Sequence, residues 1–371
     1  MRASLLAALA IFSLACAQSL CGQAAKDLSP AKVVAPPLKL TAKTNAGTNT
    51  QLALVKTVVP NTAPASVVGL AKCDADGNLY LQGADGVTIS KFNSKGEAVA
   101  TFKASSSPDV VQVDGAGRFI VSDDGQVYQL VFPHSYDRDV FLYNKDGSYK
   151  SMVKLDVGGP WHPSLFAVFP SGSFLVAGQK WDRLAQQYFP FTGILSSSGT
   201  LLKELHLEDD DNIHEMAARG DSRVGPGPVS TGLNFAISRG KMEMGSDGNV
   251  YLLRWLNPAV IYAVSPGGEI ERRFTVDPGD PDFMVREMKI AGNRIAAVFL
   301  KSSKGKMPAR LIIKVVDLEG NKVATHEQPM VDGHLAFGPT LACYILNPEQ
   351  FTFLGWQEEG EKLVLNITEP R

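Results

Sequence analysis

Two clusters of oxygen- and nitrogen-bearing side chains invite a chemical reading. The first is "DADGN", Asp74 to Asn78, which opens like a calcium loop. Such a loop needs further oxygen ligands and closes on a bidentate Glu. Here Leu79, Tyr80 and Leu81 follow instead, as an apolar strand. Asp, Gly and Asn also supply the left-handed conformations of tight turns, so the stretch reads as a turn. The second is "EDDDNIHE", Glu208 to Glu215, with His214 among carboxylates. Lying in a long connection, it reads as a solvated acidic turn or short helix cap rather than a metal centre. The six histidines are scattered singly. There is no G-x-S-x-G, no H-E-x-x-H and no phosphate-binding glycine loop, the local signatures of nucleophilic, zinc and nucleotide chemistry. No residue is assigned a catalytic role, and none a metal.

Whatever chemistry there is must be positioned by short strands. The stretch "DGNVYLLRWLNPAVIYAVSPGGEIERRFTV", Asp247 to Val276, reads as three strands divided by Asn257-Pro258 and Pro266-Gly267-Gly268. The pattern recurs. A glycine turn followed by an apolar strand appears from Asp74, Asp114, Pro170 and Ser246, and in degenerate form from Ala291 and Leu341. A strand, a turn with glycine and another strand appear six times, with turn glycines Gly96, Gly147, Gly199, Gly268, Gly320 and Gly360. Adding a strand before each first turn gives a four-stranded meander. Spacings of about 40 to 70 residues suit propeller blades. The runs are rich in Val, Ile, Phe and Tyr and too often broken by glycine to be helices. Six four-stranded antiparallel blades in an all-β ring are expected, with seven as the runner-up. The last blade is phased with "HLAF" innermost and "KLVLNIT" outermost. That leaves "LALVKTVV" from Leu52 without a settled place.

This grammar resembles six-bladed β-propellers of the NHL and TolB-like kind, carried best by "DGNVYLLRWLNPAVIYAVSPGGEIERRF" and next by "DADGNLYL … SKFNSKGEAVATF". The resemblance spans roughly Gln51 to Glu369. It rests on structural turns, which identify a fold and say little of function.

The chain opens with Arg2, the apolar run "ASLLAALAIFSLACA" and the small-x-small site Ala15-Cys16-Ala17. Residues 1–17 read as a cleaved export signal, with lipidation of Cys16 disfavoured by Ser13 where Leu is usual. Residues 18–50 lack aromatic residues and apolar periodicity and read as a flexible tether. Residues 51–371 would form the propeller, periplasmic or secreted. No later run is long enough to span a membrane. With 36 basic and 38 acidic residues, the chain lacks the basic excess of a nucleic-acid binder. Of four cysteines, only Cys73 and Cys343 fall in the repeats. Cys73 is phased onto the inner strand of the first blade and Cys343 onto the second strand of the neighbouring last blade. Because a disulfide demands close Cα atoms, they are taken as buried free thiols, the alternative being a bond that clasps the ring.

In such a meander the short glycine turns share one face, and the longer connections share the other. The long set is Ser122 to Asp139, Gln179 to Pro190, Lys301 to Pro308 and Glu208 to Leu233. That face gathers Phe132, His134, Tyr136, Trp161, His162, Trp181, Tyr188, Phe189 and Trp255. Aromatic rings offer contact area at low entropic cost. Trp161, His162, Trp181, Tyr188 and Trp255 are therefore the candidate ligand-binding residues. The expected function is a monomeric, non-catalytic, exported binding or scaffold module without cofactor, engaging a peptide, glycan or protein. The alternative is a lactonase- or esterase-like hydrolase or a lyase, with a divalent metal in the central channel. Its ligands would come from residues near the inner strands: Asp109, His162, Glu243, Glu287 and His334.

Overall fold

A computed structural model describes residues 48–61, 67–104, 113–122, 124–133, 138–218, 229–301, 309–357 and 362–371. The signal, most of the tether, Asp109, His134, Tyr136 and Gly360 lie outside the described residues. The first strand, β1, is Thr48–Val58, three residues earlier than the tether boundary expected. Strands β2–β5 (Val67–Cys73, Leu79–Gly83, Thr88–Phe92, Ala98–Lys103) form one four-stranded sheet, and β6–β9 (Gly115–Val121, Val127–Phe132, Asp139–Tyr143, Tyr149–Lys154) a second. Strands β10–β13 (Trp161–Val168, Phe174–Asp182, Gln187–Leu195, Leu201–Leu205) form a third. Helices α1 (Asp210–Ala218) and α2 (Val229–Ser238) follow. Strands β14–β17 (Lys241–Met244, Val250–Arg254, Ala259–Val264, Ile270–Val276) form a fourth.

The rest of the strands are β18–β21 (Met284–Ala291, Arg294–Lys301, Arg310–Asp317, Lys322–Glu327), a small hairpin β22–β23 (Met330–Val331, His334–Leu335), and β24–β26 (Thr340–Leu346, Glu349–Gln357, Lys362–Pro370). Apart from the hairpin they join one eight-stranded sheet, in the order β18-β19-β20-β21-β1-β26-β25-β24. The arrangement is all-β and propeller-like. Where six separate four-stranded sheets were expected, four stand alone. The cause is β1, which pairs parallel with β21 through Thr48–Gln51 and antiparallel with β26 through Leu52–Val58. Leu341, Tyr344, Phe351 and Phe353 from one end of the large sheet share a core with Ala296, Val298, Ile313 and Val315 from the other. The two ends therefore face each other across that core. The first strands β2, β6, β10, β14, β18 and β24 touch in a closed cycle.

The sequence explains the stacking. Strands β15 and β16, "VYLLR" and "AVIYAV", are buried on both faces because sheets lie on either side. The outer β17, "IERRFTV", mixes exposed and buried positions. The repeated turn glycines are there to let neighbouring sheets touch. A methyl group on Gly199 would overlap the Lys154 carbonyl oxygen on β9, and the residue sits at φ +86°. Gly147 meets Thr101 on β5 in the same way, Gly268 the third sheet, Gly320 Phe274 on β17, and Gly96 Val58 on β1.

Two expectations of phase are corrected. In the last unit the innermost strand is β24, "TLACYIL", and β26 is third, so β1 supplies the fourth strand. In the second sheet, Gly115–Val121 is the first strand rather than the second. Val127–Phe132, within the presumed connection Ser122 to Asp139, is the second. The cysteines are corrected with the phase. Cys343 lies on an innermost strand beside β2, its Cα 5.5 Å from that of Cys73, and the two are disulfide-bonded rather than free. That spacing is within the range a disulfide requires.

Candidate functional site

In the long connection between β13 and β14, the described residues include the helices α1 and α2, which pack on each other and on the third sheet. Helix α1 starts where Asp209 accepts a bond from the Ile213 amide, so the acidic run is a helix start. It is only partly solvated: Glu208, Asp211 and Glu215 are exposed, whereas Asp209 and Asp210 are buried against the Arg254 guanidinium, at 3.2 and 2.5 Å. Burial pushes the Asp210 carboxyl above its ordinary range despite Arg254. His214 stacks on Phe189 of β12, ring centroids 4.6 Å apart. Helix α2 packs on β10, β11 and β12. The Asn234 side chain accepts a bond from Ser164, and the Ser238 carbonyl accepts one from Arg118 on β6. A cation at the carbonyl end of a helix is favoured by the helix dipole.

Beside these helices, β11 and β12 run on as a hairpin to the turn at residues 183–186. The expected connection Gln179 to Pro190 is thus mostly strand. Trp181 and Tyr188 are cross-strand partners on it, their rings edge to face at 5.0 Å. His162 on β10 sits next to them, its Nε2 3.1 Å from the Tyr188 hydroxyl and its Nδ1 3.1 Å from Arg138. A guanidinium can only donate, so Nδ1 accepts and Nε2 carries the proton toward Tyr188. Burial, then the nearby Arg138 charge, lowers the His162 pKa. The imidazole is therefore held neutral with a fixed tautomer.

The five candidate binding residues thus divide. His162, Trp181 and Tyr188 come together, all partly exposed. Trp161 is 7 % exposed and turns the other way, edge-on to Phe191 in the core between the second and third sheets. Trp255 is 8 % exposed and packs against Phe235 of α2 under the Arg239 guanidinium. Sequence reasoning missed Trp356, 49 % exposed near the end of β25. Phasing β25 as a third strand had put that end on the short-turn face; as a second strand it ends on the long-connection face.

The channel proper carries another group. Lys72 on β2, Arg118 on β6, Lys241 and Glu243 on β14, and Glu287 and Lys289 on β18 line one cavity. Glu243 lies 2.5 Å from Lys72 and 3.9 Å from Lys289, and Glu287 lies 3.2 Å from Lys241. Burial alone would raise the Glu287 carboxyl, but Lys241, Lys289, Lys72 and Arg118 outweigh it and hold it down at about 2. Burial pushes Lys241 down to about 8 against the pull of Glu287. The four cations escaped the sequence reading, though "KMEM" and "REMKI" carry a signal: charged residues two apart in an inner strand point to the same face.

Of the residues considered for an axial metal, only Glu243 and Glu287 share a cavity. Glu243 and Glu287 are neutralised by lysines, His162 is bonded to Arg138 and Tyr188, His334 is on the exposed hairpin β22–β23, and Asp109 lies outside the described residues. Among the described residues no three His, Cys, Asp or Glu side chains form a metal-holding group. The "DADGN" aspartate is likewise occupied. Asp74 accepts from the amides of Asp76 and Asn78, the Asn78 side chain and the Tyr80 hydroxyl, as in a turn.

No family model matches the sequence, and no curated protein does. Solved structures are similar in fold. A member of the DUF4221 family from Bacteroides vulgatus aligns with TM-score 0.51 at 8 % identity, covering 86 % of this chain and 98 % of that one. Virginiamycin B lyase from Staphylococcus aureus aligns at TM-score 0.44 and 12 % identity, over 86 % of this chain and 100 % of that one. Regucalcin, a calcium-binding protein from Agrobacterium tumefaciens, aligns at 0.45 and 14 %, over 88 % and 97 %. At such identities the likeness is one of fold alone: a propeller-like arrangement of antiparallel sheets.

Proposed function

We propose that this protein is an exported, monomeric binding module. It would engage a peptide, glycan or protein on the face that carries the α1–α2 connection and the β11–β12 hairpin. The observation that carries this reading is the Trp181–Tyr188 pair. Two large rings stand partly exposed on a projecting hairpin, fixed from below by His162, with Leu184 at the tip 97 % exposed. Rings held rigid before contact lose little entropy on binding. Export to an oxidising compartment is supported by the Cys73–Cys343 bond, since such bonds persist outside the cytosol. The same proposal counts six blades of the NHL or TolB-like kind, treating the eight-stranded sheet as two blades stitched by β1. In its favour are the closed cycle of six first strands and the core between the two ends of that sheet.

The test is to screen the protein on glycan and peptide arrays beside Trp181→Ala, Tyr188→Ala and Trp161→Ala. The first two variants should keep their thermal midpoint and weaken binding of the same array components by about 1–2 kcal/mol, roughly 5- to 30-fold. Trp161→Ala should instead lose about 3–5 kcal/mol of stability, as a core ring does. Unchanged binding by both hairpin variants would defeat the reading.

A further inference from the structure

The charges in the channel do not cancel. Four cations, Lys72, Arg118, Lys241 and Lys289, face two carboxylates, Glu243 and Glu287, around one cavity among the described residues. The pairing shows where the surplus lies. Glu287 serves Lys241, and Glu243 is shared between Lys72 and Lys289. Lys289 otherwise donates to the Ala71 carbonyl at 3.0 Å. Arg118 donates to the Ser164 and Ser238 carbonyls, neutral groups, and among the described residues reaches no carboxylate within ion-pair distance. The five lysine and glutamate side chains keep only 8–18 % exposure. An uncompensated charge this far from water costs several kcal/mol. The cavity measures about 20 Å³, room for one small occupant. Its walls otherwise come from Leu70, Phe119, Ile120, Leu165, Phe166 and Met242, which offer an anion no repulsion.

We infer that the channel is a binding site for one small monovalent anion of halide size, held between Arg118 and the lysines of β2, β14 and β18. The space is small, which favours a halide over a bulky organic acid. The occupant offsets the surplus charge and ties together strands from three separate sheets and the large one. The rival is relief without a ligand, by loss of a proton from Lys72 or Lys241, both of which burial pushes down. That alternative gives no preference for chloride over a bulky anion.

The experiment uses the full chain moved into sodium gluconate, then titrated with sodium chloride at constant ionic strength. Once chloride exceeds its dissociation constant, each tenfold rise should lift the thermal midpoint by roughly 2 °C. Glu287→Gln adds to the surplus and should move the rise to lower chloride. Lys241→Met removes a cation and should move it to higher chloride or flatten it. Crystals grown in bromide should show an anomalous peak between Arg118, Lys241 and Lys289. A midpoint equal in chloride and gluconate overturns the inference, and so does bromide found only on the outer surface. Either variant that folds suffices, because the two are expected to shift the titration in opposite directions.

Discussion

At the scale of single residues, the chemistry most visible in the sequence and the chemistry in the structure occupy different places. The acidic runs at Asp74 and Glu208 are spent on a turn and a helix start. The charges that face one another are lysines, an arginine and glutamates on inner strands read as mostly apolar. A charge inside a strand was legible; its partner, on a first strand of another sheet, was not. The same holds for His162, which bonds Tyr188 two strands away in its own sheet and Arg138 just before β8 of the second sheet. Glu287 gives a test in acid. Its folded pKa of about 2 lies below the ordinary value of 4.5. Its contribution is therefore complete above about pH 4.5 and is lost as pH falls toward 2, about 3 kcal/mol in all. The stability difference between wild type and Glu287→Gln, from urea unfolding, should be largest near pH 6 and shrink steadily below pH 4.5. A difference independent of pH would mean that the carboxylate charge contributes nothing. Gly199 gives a second. With φ +86° and the Lys154 carbonyl where a methyl would go, Gly199→Ala should cost at least about 2 kcal/mol. The equally left-handed Gly248, with open space around it, should cost less.

At the scale of elements, the strands and glycine turns were legible because each is local. Val, Ile and Phe runs bounded by Asp-Gly or Asn-Gly turns name a strand wherever they occur. What local pattern could not supply was phase. "TLACYIL" reads equally well as a first or a second strand, and only its neighbour β2 decides. That error displaced β1, Cys343 and Trp356 together. The place of β1 is itself testable. Leu52 is buried in the core between the two ends of the large sheet. If β1 is the strand that joins the two halves of that sheet, Leu52→Ala should lower stability by about 2–4 kcal/mol. Leu54, partly exposed on the same strand, should tolerate the same change to within about 1 kcal/mol. Equal, small effects at both positions in chemical denaturation would detach β1 from the core.

At the scale of the molecule, an antiparallel array escapes exposed edges by closing on itself. Here closure is made twice. β1 joins β21 to β26 by hydrogen bonds, and Cys73–Cys343 joins β2 to β24 covalently across 270 residues of chain. Removing the bond with Cys73→Ser and Cys343→Ser together should cost about 2–5 kcal/mol, read as a lower urea midpoint. Peptide mapping without reductant should recover the linked pair from the wild type. Closure also sorts the connections, leaving short glycine turns on one face and the hairpin, the helices and Trp356 on the other. Anchoring the protein by either face tests which of the two is the working face. A cysteine introduced at the exposed Lys145 in a short turn (Lys145→Cys), or at the hairpin tip (Leu184→Cys), fixes the protein to a surface in a known orientation. Array components that bind the free protein should bind it when held through residue 145 and fail to bind when it is held through residue 184. Binding retained through 184 and lost through 145 would place the working surface on the opposite face and contradict the account.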